Sequence, residues 1–318
     1  MSMPPPDARL IPLPGSGPED VVVDAEGRLV AGVEDGRLLQ VDPRAGEVHV
    51  VARLDGRPLG LEILADGNIL ACVSPGGVVR IDPADGTVVS LISSFADKPL
   101  AFCSNVVAAA DGSIFVSTSS ARYTFAHWRR DIVEHIASGV LLHRHADGRV
   151  EMLLDGLQFG NGLALARDES FIIVAETNAA RLLRYWLKGP SAGQHEVFAE
   201  LPGYPDNLSM SPNGLVWVAL VSSHNALRDK IHQLPLFLRK LIARLPESLQ
   251  PAPEKIAWVM ALNPDGSIAR DYCWKDGCYS MVTGVCQHGN TVYLGSMTER
   301  AVLAFDLPAP KEKLSGTI

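Results

Sequence analysis

The stretch EDVVVDAEGRLVAGV at residues 19–33 joins two apolar runs through a short turn rich in acidic residues and glycine. The same pattern returns five more times along the chain, beginning at residues 59, 104, 161, 206 and 283. Alternating apolar runs joined by Asp-Gly or Asn-Gly are the strongest short-range signal for a β-hairpin. The sequence therefore predicts six hairpins of one design.

Most of these hairpins are followed by a second pair of apolar runs, as in GVVRIDPADGTVVSLI at 77–92. The first turns contain Asp24, Asp66 and Asp111, which are 42 and then 45 positions apart. Units of four strands at this period are typical of propeller blades. The sequence predicts an all-β, six-bladed β-propeller with four-stranded blades, forming a single domain over residues 1–318. We expect ARLIPLP at 8–14 to add the outer strand of the last blade and close the ring.

Two of the repeats are longer than the others, with extra residues around 121–138 and 222–255. The second insertion contains KIHQLPLFLRKLIARLPESL at 230–249, where apolar residues recur at roughly helical spacing. The pattern predicts helical insertions over one face of the propeller. Three interpretations stay open for residues 222–255: a lid over the channel, a surface for a homodimer or another partner, and a membrane-surface helix.

The composition excludes several classes of protein. Apolar residues make up 47% and charged residues 20%, so a large core is expected, and the net charge of −8 argues against nucleic acid as a partner. No secretory signal and no transmembrane run of about 18 apolar residues is visible. The five cysteines are odd in number and form no paired CxxC motifs, so we expect neither a disulfide framework nor a cysteine zinc site. These features predict a cytoplasmic protein.

The residues just before the inner strand of each blade face the channel at one end of a propeller. Counting back from the first turns gives a carboxylate or carboxamide side chain in four of six blades, namely Glu19, Asn105, Asn161 and Asp206. This set fits one divalent ion, Ca²⁺ best, with Mg²⁺, Mn²⁺ and Zn²⁺ as alternatives. The neighbouring Asp20 and Asn207 are candidates for supporting contacts. The alternative is that these residues only cap the starts of strands through Asx-turns.

The insertion at 121–138 holds the side chains that we expect to contact a substrate, namely Arg122, Tyr123, His127 and Trp128. Arg122 and Tyr123 could bind a substrate oxygen or carboxylate. His127 could act as a general base over the mouth, and a surface or packing role is the alternative. The chain contains no GxSxG motif, which argues against a serine hydrolase.

The repeats resemble the superfamily of gluconolactonase, regucalcin (senescence marker protein), paraoxonase and strictosidine synthase. The resemblance is carried by GPEDVVVD at 17–24, GRPLGLE at 56–62 and NGLALARDESFIIVAET at 161–177, and it is greatest for the strictosidine-synthase-like branch. The calcium-dependent lactonases of this superfamily hold their ion with Glu, Asn, Asn and Asp. This set matches the four residues named above, and the Asp206-Asn207 pair is similar to a pair in paraoxonase.

Two departures from the superfamily narrow the expected chemistry. Thr283 stands where strictosidine synthase has its catalytic glutamate, and Leu59 stands where paraoxonase has a histidine. Neither reaction is therefore expected. The resemblance implies a metal-dependent hydrolase of lactones or small esters, in which the channel metal polarises the carbonyl and Asp206 activates water. The alternative function is a non-catalytic propeller that binds a small ligand or a protein partner and keeps a structural metal.

Overall fold

In a computed structural model that describes residues 7–246, 254–275 and 277–308, the apolar runs form six four-stranded antiparallel sheets. The first strand, β1 (Arg9–Pro12), precedes blade one. Blade one contains β2 (Val21–Val23), β3 (Leu29–Gly32), β4 (Arg37–Val41) and β5 (Val48–Arg53). Blade two contains β6 (Arg57–Ile63), β7 (Ile69–Ser74), β8 (Gly77–Ile81) and β9 (Val88–Ile92). A two-stranded ribbon follows, with β10 (Ser94–Phe95) and β11 (Lys98–Pro99).

The remaining blades repeat this order of strands. Blade three contains β12 (Cys103–Ala108), β13 (Ile114–Thr118), β14 (Gly139–Arg144) and β15 (Val150–Leu157). Blade four contains β16 (Gly160–Leu165), β17 (Phe171–Glu176), β18 (Arg181–Trp186) and β19 (His195–Glu200). Blade five contains β20 (Gly203–Met210), β21 (Val216–Ser223), β22 (Ala257–Leu262) and β23 (Ile268–Trp274). Blade six contains β24 (Val282–His288), β25 (Thr291–Ser296) and β26 (Ala301–Asp306).

The blades form a closed ring. Each inner strand contacts the inner strand of the next blade, and β24 of blade six contacts β2 of blade one. The N-terminal β1 pairs antiparallel with β26, with Arg9 opposite Ala304, and thereby gives blade six its fourth strand. The predicted six-bladed β-propeller is confirmed, and its ring is closed by the strand that the sequence assigned to this role.

The core consists of six apolar clusters, one at each interface between neighbouring blades. Between blades one and two, for example, Val30 and Leu38 pack with Leu61 and Ile69. Each sheet is therefore covered on both faces, which explains why the strands are apolar on both sides.

Three helices lie in the two insertions. They are α1 (Trp128–Glu134), preceded by a 3₁₀ turn at Phe125–His127, and α2 (Ala226–His232) and α3 (Leu236–Ile242). Helix α1 contacts both α2 and α3. The predicted helical insertions are confirmed within the described part of the chain, and residues 247–253 of the second insertion lie outside it.

Candidate metal centre and substrate cavity

The position of a residue along the channel can be counted from the first turn of its blade. In blades one to five, the backbone hydrogen bonds that close these turns are donated by Asp24, Leu64, Ala109, Ala166 and Ser211. Counting five positions back from these donors gives Glu19, Leu59, Ser104, Asn161 and Asp206. All five line one cavity at the mouth of the channel. Three of the four predicted metal ligands therefore share a level.

Asn105 lies one residue deeper in the channel than the other three predicted ligands, although counting back from the first turns placed all four at one level. Its level is that of Gly60 on the neighbouring strand, where a Cβ atom would lie 2.6 Å from the Asn105 Cα. The strand β12 is irregular between Cys103 and Asn105, and four other inner strands have a comparable irregularity at the mouth. Such bulges turn successive side chains toward the same side. Asn105 thus still joins the polar group at the axis.

Asn207 connects the side chains of three blades. Its Oδ1 accepts a hydrogen bond of 2.8 Å from Asn105 Nδ2, and its Nδ2 donates one of 3.2 Å to Glu19 Oε1. Asn161 donates through Nδ2 to Thr177 Oγ1 at 3.1 Å, which leaves its own side-chain oxygen available. Asn207 is therefore placed to orient the residues around it, as an outer partner of metal ligands does.

Asp20 has a different role from its neighbour Glu19. Its two carboxylate oxygens accept hydrogen bonds of 2.9 Å from the backbone N–H groups of Val21 and Leu61. Burial raises the pKa of Asp20 to about 7, and the two backbone hydrogen bonds oppose that rise. Asp20 thereby links blade one to blade two below the mouth.

Glu19 and Asp206 carry the features expected of ligands for a cation. Glu19 Oε2 and Asp206 Oδ1 are buried and have no hydrogen-bond partner among the described residues. An unpaired carboxylate oxygen is costly away from water, and a divalent cation would satisfy both atoms. The donors are all oxygen, the type that Ca²⁺ prefers. The residues at the mouth therefore fit a bound calcium ion.

The electrostatics of the mouth agree with this reading. Burial raises the pKa of Glu19 well above its usual range, and the nearby carboxylates of Asp206 and Asp20 raise it further. The guanidinium of Arg57 opposes this rise. Burial also raises the pKa of Asp206, while a hydrogen bond with Asn161 lowers it. Two acidic groups that repel each other in a buried site form a natural cation site.

The two positions that depart from the superfamily have structural roles here. Thr283 donates its hydroxyl to the backbone oxygen of Glu19 at 2.6 Å and so fixes the backbone at this residue. Leu59 is buried and contributes an apolar side chain to the wall of the cavity. Neither offers a group that could donate or accept a proton from a substrate as Glu or His does.

The cavity above Glu19 and Asp206 has a volume of about 530 Å³. Its walls are largely apolar and include residues that the sequence reasoning missed, namely Phe102, Phe125, Ile132, Phe159, Ile231, Ile242 and Met281. The helices α1, α2 and α3 contribute to this lining, so the insertions cover the mouth as a lid does. One signal was available in the sequence, because Phe102 and Phe159 each stand two residues before the mouth level of their blades.

Of the four predicted substrate residues, one lines the cavity and the other three do not. Trp128 lines the cavity. Arg122 and Tyr123 instead bind the carboxylate of Glu134, through contacts of 2.6 Å each, and neither is part of the cavity lining. His127 is exposed and lies in a separate surface depression beside α3.

The outer face of the lid is partly apolar. Phe237 and Leu241 on α3 are 70% and 62% exposed. A partner or membrane surface at this place remains a prediction. Within the described ranges, no helix has the length and apolar character needed to cross a membrane.

Comparisons with known proteins agree with this architecture. The SMP-30/gluconolactonase/LRE-like family matches residues 33–231, and the N-terminal region of the strictosidine synthase-like family matches residues 6–41. The chain is 33% identical over 271 residues to the protein strictosidine synthase-like 10 of Arabidopsis thaliana, a match that covers 77% of this chain and 71% of the plant protein. It is 28% identical over 302 residues to the adipocyte plasma membrane-associated protein of Danio rerio, covering 87% and 72% of the two chains.

Solved structures share the fold at low sequence identity. A gluconolactonase from Xanthomonas campestris superposes with a TM-score of 0.69 at 18% identity, covering 96% of this chain and 91% of the other. A calcium-binding protein, regucalcin, from Agrobacterium tumefaciens gives a TM-score of 0.66 at 15% identity, covering 95% and 94%. The chain is a lactonase-like β-propeller that belongs to the SMP-30/gluconolactonase/LRE-like family, in its strictosidine synthase-like branch.

Proposed function

We propose that the chain is a calcium-dependent hydrolase of lactones or esters whose acyl or alcohol part is apolar. The observation that carries this proposal is the pair of buried carboxylate oxygens, Glu19 Oε2 and Asp206 Oδ1, which lack hydrogen-bond partners among the described residues and lie at the floor of a covered cavity. A site with hard oxygen donors and room for a substrate beside them suits metal-assisted hydrolysis.

The residues of the mouth would divide the work as follows. A bound divalent ion would supply electrostatic stabilisation of the negative charge that develops on the carbonyl oxygen. Asp206 would accept the proton of the attacking water. Asn207 and Thr283 would hold Glu19 in place through its side chain and its backbone oxygen. The covering helices would keep bulk water away from the reacting groups.

The apolar lining supports an apolar substrate. A sugar lactone would bring several hydroxyl groups against side chains such as Phe102, Phe159 and Ile132, which cannot form hydrogen bonds with them. Buried hydroxyl groups without partners are costly. An alkyl or aryl group would instead gain from burial in the same space.

The proposal is tested by stripping the purified protein with EDTA and restoring Ca²⁺, Mg²⁺, Mn²⁺ or Zn²⁺ singly. Hydrolysis is then measured for γ- and δ-lactones with alkyl tails of increasing length, for aryl esters and for a sugar lactone. We expect activity to return with Ca²⁺ and kcat/KM to rise by up to about fourfold per methylene group until the cavity is full. No turnover with any metal would favour the non-catalytic binding protein instead.

A matched pair of substitutions on α3 tests whether the cavity binds the substrate. Ile242 lines the cavity, whereas the adjacent Leu241 is exposed. Ile242→Ser should lower kcat/KM for the longest active lactone by about tenfold, because the tail loses an apolar contact. Leu241→Ser should leave it unchanged. Equal effects of the two substitutions would place substrate binding elsewhere.

A further inference from the structure

We propose a second metal site, of the zinc type, formed by His143, His145 and Glu151 on the outer half of blade three. One ligand atom of each of these side chains lies within 4.8 Å of the others. This group shares no residue with the mouth of the channel, and it is chemically different from the mouth, because two of its three donors are nitrogen atoms.

The hairpin between β14 and β15 brings the three side chains together. His143 and His145 are two positions apart, so they project from the same face of the chain. Glu151 is directly opposite His143 in the antiparallel register. The backbone N–H of His145 donates to the oxygen of Arg149 at 2.8 Å and closes the turn. The arrangement is therefore set by strand geometry and does not depend on a mobile loop.

The two histidines converge on a single oxygen. Glu151 Oε1 lies 2.9 Å from His145 Nε2 and 3.4 Å from His143 Nδ1. Packing against Phe115, with ring centroids 4.5 Å apart and nearly parallel planes, fixes the ring of His143. Ligands whose orientation is fixed by neighbouring groups lose less entropy when an ion binds.

The donor set selects the kind of ion. Two imidazole nitrogens and one carboxylate form the three-ligand set of open zinc sites, with a fourth position for water. Ca²⁺ prefers sites made only of oxygen, so this group should discriminate against it. The side chains of His145 and Glu151 are 26% and 42% exposed, which gives an ion and a water molecule access from solvent.

The site lies away from the mouth. The outer strands β14 and β15 are the third and fourth of blade three, whereas β12 lines the channel. Strand β14 begins at Gly139, which contacts Gly160 beside the mouth, and runs from there to His143 and the turn. An ion held here would tie the two outer strands together without touching the substrate cavity.

Arg149 offers a further test of the zinc site. Its guanidinium binds the other oxygen of the carboxylate, Glu151 Oε2, at 3.0 Å. It leaves Oε1 to the histidines, but its positive charge repels a cation. Replacing Arg149 by Gln should therefore raise the affinity for the ion severalfold, and this gain is the opposite of what a merely structural cluster would show.

The test is a calorimetric titration of the metal-stripped full chain with Zn²⁺ in the presence of saturating Ca²⁺, which is added to fill the calcium site proposed at the mouth. We expect one Zn²⁺ per chain. His143→Phe, which keeps the ring packed on Phe115, and Glu151→Gln should each weaken binding by at least tenfold. His49→Phe, at an exposed histidine on the outer strand of blade one, is the control and should change nothing.

A second readout uses Co²⁺ as a spectroscopic substitute for Zn²⁺. Coordination by the two histidines should give a visible absorption band that His143→Phe removes and that excess Ca²⁺ leaves in place. The proposal is overturned if Zn²⁺ binds the His143→Phe and Glu151→Gln variants as it binds the wild type, if Ca²⁺ displaces the ion, or if no Zn²⁺ binds at all. Unchanged Ca²⁺ binding in each variant shows that it has folded.

Discussion

The side-chain amide of Asn207 connects two other blades, because it forms hydrogen bonds with Asn105 of blade three and with Glu19 of blade one. Both of its polar atoms are used, one as an acceptor and one as a donor. A carboxylate ligand whose second oxygen is held in this way is oriented before an ion arrives. The affinity of the mouth for calcium should therefore depend on a residue that need not touch the ion.

Asn207→Ala should weaken Ca²⁺ binding by about 10–100-fold, since it frees the side chains of Glu19 and Asn105. The measurement is a Ca²⁺ titration of the stripped protein. Asn263→Ala, at an outer turn of blade five where the side chain donates a hydrogen bond to Ser267, is the control. If both variants bind Ca²⁺ with the affinity of the wild type, Asn207 does not position the ligand.

Most of the polar residues at the mouth could be predicted from the sequence. Where the structure places a predicted residue differently, the difference has a physical cause. Glu19, Asn161 and Asp206 could be aligned because each stands at one distance from a turn. Asn105 fell one residue out of line because it stands six positions before Asp111, whereas Asn161 and Asp206 each stand seven positions before Asp168 and Asn213. Arg122 and Tyr123 could not be judged, because their partner Glu134 comes close only once α1 has formed.

The insertion helices form a covering layer whose parts hold one another. His232, the last residue of α2, donates through Nε2–H to the backbone oxygen of Ile132 in α1 at 2.9 Å, and its ring stacks on His135 with the ring centroids 3.9 Å apart. Arg239 of α3 binds the backbone oxygen of Glu134. The lid is thus one unit assembled from two insertions that are far apart in the sequence.

The junction of these helices should make the lid sensitive to acid. Burial, together with the nearby His135, Arg228 and Arg239, lowers the pKa of His232 from its usual value of 6.5 to about 4, while the hydrogen bond with the Ile132 oxygen opposes the shift. Between these two values the unfolded chain binds a proton that the folded chain does not. Stability should therefore fall as the pH decreases from about 6.5 toward about 4.

The check is the thermal midpoint of the wild type and of His232→Gln between neutral pH and pH of about 5. The variant keeps a donor for the Ile132 oxygen and loses the titration, so its midpoint should fall less on acidification. His49→Gln, at an exposed position, serves as the control and should follow the wild type. Parallel curves for His232→Gln and the wild type would exclude this residue as the source of acid sensitivity.

The helical character of the second insertion could be predicted from the spacing of its apolar residues, but their targets could not. Ile231 and Ile242 face the cavity, whereas Phe237 and Leu241 face solvent. Both groups have the same apolar signature in the sequence. Which side chains of α2 and α3 face the cavity depends on the contacts of these helices with α1. These contacts connect the insertion of blade three with the insertion of blade five.

The whole ring depends on a strand from the beginning of the chain. Ile11 of β1 is buried in the cluster between blades six and one, and its neighbour Leu10 is 49% exposed. Pairing with β1 gives blade six its fourth strand and covers the edge of β26, which would otherwise be free. Much of the stability of the propeller should therefore rest on a few residues of β1.

Ile11→Ala should lower the free energy of unfolding by about 2–5 kcal/mol, because it leaves a cavity at the seam of the ring. Leu10→Ala, one residue away on the exposed face, should change it by no more than about 0.5 kcal/mol. Denaturant unfolding followed by tryptophan fluorescence measures both. Similar losses for the two variants would show that the seam is not sealed by the buried face of β1.

The number and strand content of the blades could be predicted because every blade repeats one hairpin and one period. The substrate cavity could not be predicted in the same way. Its walls come from residues on several blades and on both insertions, such as Phe102, Phe159, Ile231 and Met281, which are brought together only by closure of the ring. The repeated strands specify the propeller, whereas the insertions and the side chains that differ from blade to blade specify the cavity and what it could bind.

Under the proposed function, the mouth of the channel holds calcium and Asp206 acts in hydrolysis beside it. The most direct test measures Ca²⁺ binding and lactone hydrolysis on the same sample of Asp206→Asn. Asn keeps an oxygen for the ion but is not a base, so the variant should still bind Ca²⁺ at raised concentration and should lose activity by at least about 100-fold. Full activity of Asp206→Asn with calcium bound would show that Asp206 is not the base that activates water.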